Sequence, residues 1–231
     1  STPAQLAAMA ADAGARLLFG DAAAEGVPWP QGLGRVAIGE DPVMLDAALP
    51  PAETRPQPLA IDPAWPFNII YSSGTTGTPK GIVQPHAMRW AHIQRTAASG
   101  YGPAAVTMIA TPLYSNTTLV CLIPTLAYGG CAVLMPKFDA RRYLALAEQH
   151  RATHTMLVPV QYRRLMELPD FDRFDLGAFQ QKFCTSAPFP AELKAEVLRR
   201  WPGGLTEYYG MTEGGGTCIL QAHLHPTKLH T

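Results

Sequence analysis

Residues 71–81, YSSGTTGTPKG, follow directly on the apolar run FNII and contain three glycines, three threonines and two serines. Such a composition cannot build a core, and glycine weakens helix and strand alike, so the stretch predicts a loop at the end of a strand. Gly74, Gly77 and Gly81 let backbone N–H groups converge on a ligand, Ser72, Ser73, Thr75, Thr76 and Thr78 add hydroxyl donors, and Lys80 adds a point charge. Convergent donors beside a lysine predict an anion site, and phosphate is the anion that takes so many donors at once. A Gly/Ser/Thr surface linker shares this composition, but it needs neither the preceding strand nor Pro79 stiffening the bend beside the lysine. The order GTTGTPKG also fails the GxxxxGK[ST] spacing, which disfavours a Walker-type phosphate loop.

Outward from this loop, short β-prone runs alternate with helical patterns, the signature of a layered α/β domain with a mostly parallel sheet flanked by helices. Strands are expected at Leu17 to Phe19, Arg35 to Gly39, Phe67 to Tyr71, Val106 to Ala110, Cys131 to Met135, Thr155 to Val158, Lys182 to Thr185 and Leu205 to Tyr208. The clearest helix runs from Pro190 to Trp201, with Leu193, Val197 and Trp201 on one face and Arg199 and Arg200 at its C-terminal dipole. A second is expected from Ala140 to His150, capped by Asp139, with Tyr143, Leu146 and Ala147 packing inward. Prolines crowd residues 42–66 and predict an irregular connector, so the chain divides into residues 1–66, helix-strand units plus connector, and a core from 67 to 231.

The 231 residues are 47% hydrophobic with a formal net charge of zero, which suits a globular fold and points to no nucleic-acid partner or anionic membrane. No window reaches the roughly 18 apolar residues of a membrane span and no secretory signal opens the chain, so a cytoplasmic protein is expected. Cys121, Cys131, Cys184 and Cys218 are widely spaced without CxxC and are expected to be reduced core thiols. His223 and His225 lack a further ligand at metal spacing, Asn116 lies in an accidental glycosylation sequon, and GxSxG, the elbow of the α/β hydrolases, is absent.

The second chemically expressive stretch is GLTEYYGMTEGGG, residues 204–216, in which a β-prone run ends at Tyr209 and Gly210 and Thr212 and Glu213 precede three glycines. Polar groups on a turn at a strand end occupy the place where open α/β sheets bind ligands. Tyrosine offers a flat face for a base, threonine a hydroxyl for a phosphate oxygen, and glutamate a hard oxygen for magnesium.

Together, YSSGTTGTPKG and YYGMTE resemble the phosphate loop and the adenine/magnesium motif of the adenylate-forming acyl-CoA synthetases, the superfamily that also holds firefly luciferases and peptide-synthetase adenylation domains. TPLYSNTTL stands where that family has its acyl-pocket motif, LVPVQYRRLM where a proline-led helix begins, and TSAPFPAEL where a loop lines the adenine. The resemblance implies the fold of the large N-terminal domain and ATP, Mg²⁺ and coenzyme A as reactants in converting a carboxylic acid, through its adenylate, to a thioester. It implies that Ser72 to Thr78 with Lys80 hold the β and γ phosphates and that Ser186, Ala187 and Pro188 present backbone to adenine. Tyr209, within the Tyr208, Gly210 and Met211 segment, would stack on the base, Thr212 would hold the α-phosphate, and Glu213 would hold the metal. Thr212, Glu213 and Lys80 are thus the expected catalytic groups.

Two departures qualify the resemblance. The family's PLFH motif is here Pro112-Leu113-Tyr114 followed by Ser115, so the histidine is absent or moved; His86 reads as a helix-start residue, and Tyr114, Asn116, Tyr162 and Met211 are the candidates for acyl-pocket lining. The family's TGD motif, which binds ribose, and the domain bearing a catalytic lysine are not found in these residues, so a truncated N-terminal domain, inactive alone, is expected. The alternative is a catalytically silent nucleotide-binding or scaffold fragment of the same fold. Homo-oligomerisation is left open, as is the identity of the acid.

Overall fold

A computed structural model describes residues 1–39, 45, 49–72, 79–214 and 217–230, which fall into two compact units, residues 1–86 and 87–231. In the first unit Thr2 caps helix α1 (Pro3–Asp12): its hydroxyl accepts from the Gln5 N–H, the Gln5 side chain accepts from the Thr2 N–H, and Pro3 fills the first turn, where no N–H is needed. Strand β1 (Leu17–Gly20) pairs in parallel with β2 (Gly34–Ala37). Residues 50–64 form only turns and coil, as their prolines dictate.

Strands β3 (Pro66–Ser72) and β4 (Lys80–Pro85) then form an antiparallel pair with Ser72 opposite Lys80. The loop expected over 71–81 is therefore narrower, since Tyr71 and Ser72 belong to β3 and Lys80 and Gly81 to β4. The reason is the apolar Ile82 and Val83, whose β-branched side chains pair with Ile70 and Ile69 and carry the ladder back toward the glycines. No strand was expected there.

In the second unit, helix α2 (His86–Thr96) begins at the unit boundary and is followed by strand β5 (Val106–Ile109), helix α3 (Asn116–Ala127) and strand β6 (Cys131–Leu134). Helix α4 (Ala140–Gln149), strand β7 (His154–Leu157), helix α5 (Pro159–Met166) and strand β8 (Gln181–Cys184) come next. Helix α6 (Ala191–Arg200), strand β9 (Gly204–Tyr209) and strand β10 (Cys218–Gln221) complete the alternation. The strands form one sheet in the order β10-β9-β8-β7-β5-β6, parallel from β5 to β9, with β10 antiparallel at an edge. Because β6 lies on one side of β5 and β7 on the other, strand addition reverses at β5, a topological switch of the kind beside which ligands bind beyond the carboxyl ends.

Successive strand residues face opposite sides of a sheet, and here both sides are packed. Met156 and Phe183 join Tyr101, Ala105 and Cys121 on one face. Their neighbours Leu157 and Cys184 join Tyr143 and Leu144 of α4, Tyr162 and Leu165 of α5 and Val197 of α6 on the other. Double coverage is what makes these strands read as near-continuous apolar runs. Leu193, Val197 and Trp201 are buried as the helical spacing required, and Asp139 caps α4 by accepting from the Arg142 N–H. Trp201 sits among the rings of Tyr143, Tyr162, Phe171 and Phe179, with centroids 4.9 to 6.2 Å away.

One core residue runs against type. Lys182 of β8 is fully buried, and its Nζ donates to the carbonyls of Trp201, Pro202 and Gly203 at 3.1, 2.7 and 2.7 Å, tying down the turn between α6 and β9. Burial pulls its ammonium down to about 7. The cysteines also differ from expectation: all four are free, but only Cys121 and Cys184 are buried, while Cys131 and Cys218 are exposed on β6 and β10, the two edge strands of the sheet. Among the described residues no helix is long and apolar enough to cross a membrane.

Candidate functional site

Beyond Cys184 the chain turns out of β8 in a pinned conformation. The Thr185 hydroxyl donates to the Tyr208 carbonyl at 2.9 Å, which ties the loop to β9. Ser186 takes φ +79°, a left-handed conformation uncommon outside glycine, and its Oγ lies 2.8 Å from Thr117 Oγ1 in the first turn of α3. Phe189 is buried and stacks on Tyr162 at 5.1 Å. With a hydroxyl pair at one end and an aromatic anchor at the other, Ser186, Ala187 and Pro188 are left exposed as a presented backbone.

The adjacent strand supplies the facing wall. Tyr209, at the end of β9, is 79% exposed, and a cleft of about 720 Å³ is lined by Ser186, Ala187 and Pro188 together with Tyr208, Tyr209 and Gly210. Two segments some twenty residues apart, which the sequence reading assigned to one nucleobase, thus border one cavity beyond the carboxyl ends of β8 and β9. Past Gly210, the Gly214 N–H donates to the Met211 carbonyl at 3.2 Å, closing a turn that carries Met211, half-buried Thr212 and exposed Glu213. Gly214 has φ +85°, so the backbone asks for glycine, and a Cβ there would lie 3.2 Å from the flexible end of Met88 of α2.

In the first unit, Tyr71 anchors the strand that leads into the glycine-rich loop. Its hydroxyl donates to Asp12 Oδ2 at 2.5 Å and lies 3.2 Å from the Met9 carbonyl oxygen, and burial, then the Asp12 carboxylate, push the phenol up to about 12. The pairing of Ser72 with Lys80 holds the two stems of the loop side by side, with Lys80 exposed. Ser73, Gly74, Thr75, Thr76, Gly77 and Thr78 lie outside the described residues. Ser72 and Lys80 belong to the first unit, and Ser186 to Pro188 and Tyr208 to Glu213 to the second.

Sequence reasoning missed several cleft residues. Glu207 lines the cavity and pairs with Lys194 Nζ at 2.5 Å; Cys218, Ile219 and Leu220 join it because β10, which was not expected, folds back on β9. The only signal for β10 was the apolar CIL after the glycines. Tyr162, expected at an acyl pocket, is a core residue that donates to the Phe183 carbonyl at 2.9 Å. Asn116 accepts from Arg89 at 3.0 Å, Tyr114 is exposed, and His86 opens α2 with its ring edge-on to Phe67 at 5.1 Å. His223 Nδ1 lies 3.0 Å from the Leu205 carbonyl, a link between β9 and the turn after β10. Among the described residues no three His, Cys, Asp or Glu side chains gather as a metal site. Glu213, exposed on its turn, would offer one carboxylate to a magnesium ion whose shell phosphates and water complete.

The profile of a family described as AMP-binding enzyme matches residues 1–231. The chain belongs to that family. It is 33% identical over 197 residues to a feruloyl-CoA synthase of Amycolatopsis sp, a match covering 82% of this chain and 38% of that protein. It is 32% identical over 177 residues to an indoleacetate–CoA ligase of Aromatoleum aromaticum, covering 74% of this chain and 33% of that one. The N-terminal domain of FACL13 from Mycobacterium tuberculosis shares the fold with a TM-score of 0.81 at 20% identity, over 96% of this chain and 58% of that domain. ATP-bound MatB from Rhodopseudomonas palustris superposes with a TM-score of 0.77 at 27% identity, over 92% of this chain and 43% of that one. The chain spans about two fifths, 38%, of the length of the first curated relatives it matches.

Proposed function

We propose that this chain is the nucleotide-holding part of an acyl- or aryl-acid–CoA ligase, which activates a carboxylic acid with Mg-ATP and passes the acyl group to coenzyme A. The observation that carries this reading is the cleft bordered by Ser186–Pro188 and Tyr208–Gly210, an aromatic face opposite a presented backbone at the carboxyl edge of a doubly covered sheet. Family membership and the names of the relatives, feruloyl-CoA synthase and indoleacetate–CoA ligase among them, support the reaction class and favour an aryl acid.

In this reading residues 67–231 are the AMP-binding core. Tyr209 stacks on adenine, and the 186–188 backbone meets its edge. The hydroxyls of Ser72, Ser73, Thr75, Thr76 and Thr78, the N–H groups at Gly74 and Gly77 and the Lys80 ammonium hold the β and γ phosphates. Thr212 donates to the α-phosphate, Met211 and Gly210 shape the turn that aims it, and Glu213 holds Mg²⁺, which neutralises phosphate charge. A carboxylate oxygen of the acid attacks the α-phosphorus, pyrophosphate leaves with the electron pair of the broken P–O bond, and the thiol of coenzyme A then displaces AMP from the acyl carbon. No protein nucleophile is needed, because alignment and charge neutralisation supply the rate.

The test is acid-dependent exchange of labelled pyrophosphate into ATP, run on the polypeptide that carries this chain with a panel of aryl and aliphatic acids, beside a calorimetric titration of the chain with Mg-ATP. Exchange that depends on an acid and is lost in Glu213→Gln supports the ligase. ATP binding without exchange for any acid replaces it with the silent nucleotide-binding reading, and a folded chain with no ATP binding removes both.

A further inference from the structure

Among the described residues three other than glycine take a positive φ. Two have a local reason. Arg151 follows α4 in a helix-ending motif, its N–H donating to the Glu148 carbonyl and the Ala152 N–H to the Ala147 carbonyl. Glu53 is the third residue of a turn closed by the Thr54 N–H on the Pro51 carbonyl. Ser186, at φ +79°, lies in a bend of neither kind. A side chain in the left-handed region costs free energy that surrounding contacts must offset, and residues kept there cluster at ligand sites. The Ser186 hydroxyl meets Thr117, whose Oγ1 lies 2.8 Å from its Oγ.

Of this pair Thr117 stands on the firmer ground. The next residue, Thr118, is fully buried, donates to the Pro112 carbonyl at 2.6 Å and lies 2.7 Å from Thr111 Oγ1; one turn on, Cys121 is buried at 3.1 Å from the Tyr101 hydroxyl. The first turn of α3 is thereby fixed to the loop leaving β5, whereas residues 186–188 are exposed. With Thr185 tied to the Tyr208 carbonyl and Phe189 stacked on Tyr162, both ends of the bend are set, and the Ser186 backbone decides which way the peptide groups between them face.

We propose that Thr117 is a positioning residue for the nucleotide: its hydroxyl holds Ser186 in the left-handed conformation and so turns the 186–188 backbone toward the cleft. This rests on the reading of the cleft as the nucleotide site. The two hydroxyls are partly open to water, so their contact replaces solvent partners with little net gain in global stability. The effect is local. Without the contact a side chain at 186 relaxes toward negative φ, and the neighbouring peptide groups rotate with it. Binding is then weakened, because the bend must be reordered when the ligand arrives.

The experiment measures Mg-ATP affinity by calorimetry in the wild-type chain, in Thr117→Val, Thr117→Ser, Ser186→Ala and Ser186→Gly, and in Thr117→Val combined with Ser186→Gly, with urea unfolding of each. Affinity should fall about fivefold in Thr117→Val and about tenfold in Ser186→Ala, which loses the hydroxyl and keeps the steric penalty, while Thr117→Ser should stay within about twofold of wild type. Ser186→Gly reaches positive φ without that penalty, so it should lose less than about threefold, and adding Thr117→Val to it should change nothing further. The urea midpoint of Thr117→Val should match that of the wild type. Wild-type affinity in Thr117→Val, an affinity loss that follows a loss of stability, or a Thr117→Val loss of the same size with and without Ser186→Gly overturns the positioning role and leaves the nucleotide site standing. A folded wild type that binds no ATP overturns both.

Discussion

Replacing Lys182 with methionine should change how stability depends on pH, and the sign can be worked from its setting. The ammonium is fully buried against three carbonyls, and burial lowers it from 10.5 to about 7. In the unfolded chain the same lysine stays protonated to its ordinary value. Between those two limits the unfolded state binds one more proton than the folded state, so stability rises with pH by about 1.4 kcal/mol per unit and falls as pH drops toward 7. From pH 7.0 to 8.5 this amounts to roughly 2 kcal/mol, or about 4–8 °C in the melting temperature of a domain of this size. Above that range Cys121 and Cys184, whose thiols are pushed up by burial, contribute with the opposite sign, so the window closes there. The assay is urea unfolding of the wild type and Lys182→Met at several pH values across the window. The variant should be less stable throughout, because the carbonyls of Trp201, Pro202 and Gly203 in the turn after α6 lose their donor, but the difference between the two proteins should widen as pH rises. Parallel curves would refute the reasoning and mean that the carbonyls hold the ammonium at its ordinary value.

Two further outcomes are expected. Gly203→Ala combines a φ of +87° with a Cβ 2.5 Å from the Phe179 carbonyl oxygen, whereas Gly26→Ala, at φ +75°, meets nothing within 4 Å. The first should cost more than about 2 kcal/mol and the second about 1 kcal/mol in chemical denaturation, and equal losses would show that the close approach is immaterial. Tyr209→Ala removes a side chain that is 79% exposed, so it should move stability by less than about 0.5 kcal/mol while weakening ATP by roughly 1–3 kcal/mol, as a lost stacking platform would; calorimetry showing unchanged affinity would take the ring out of the site.

Much of the architecture is legible along the chain. Leu193, Val197 and Trp201 announce a helix by their spacing, runs such as Val106–Ile109 and Gln181–Cys184 announce buried strands, and each lies within a residue or two of its expected place, because periodicity and apolar content are local properties. The loop at 71–81 was drawn too wide because glycine content hides a strand that exists by pairing: Ile82 and Val83 acquire their structure from Ile69 and Ile70. The same holds for β10, which becomes a strand only against β9.

For the site, the amino-acid order by itself determined which segments carry chemistry, since clusters of glycine, hydroxyls and one lysine or one glutamate are chemical statements wherever they fold. Tertiary structure alone decided which of them meet. The hydroxyl pair of Ser186 and Thr117, separated by 69 positions, the Glu207–Lys194 ion pair and the shared cleft of Ser186–Pro188 and Tyr208–Gly210 all depend on parallel strands bringing distant loops to one edge. Lys182 makes the point most sharply: a lysine in a sequence reads as surface, and only the folded turn from α6 into β9, with the carbonyls of Trp201, Pro202 and Gly203 turned toward it, gives a buried ammonium a reason to be there.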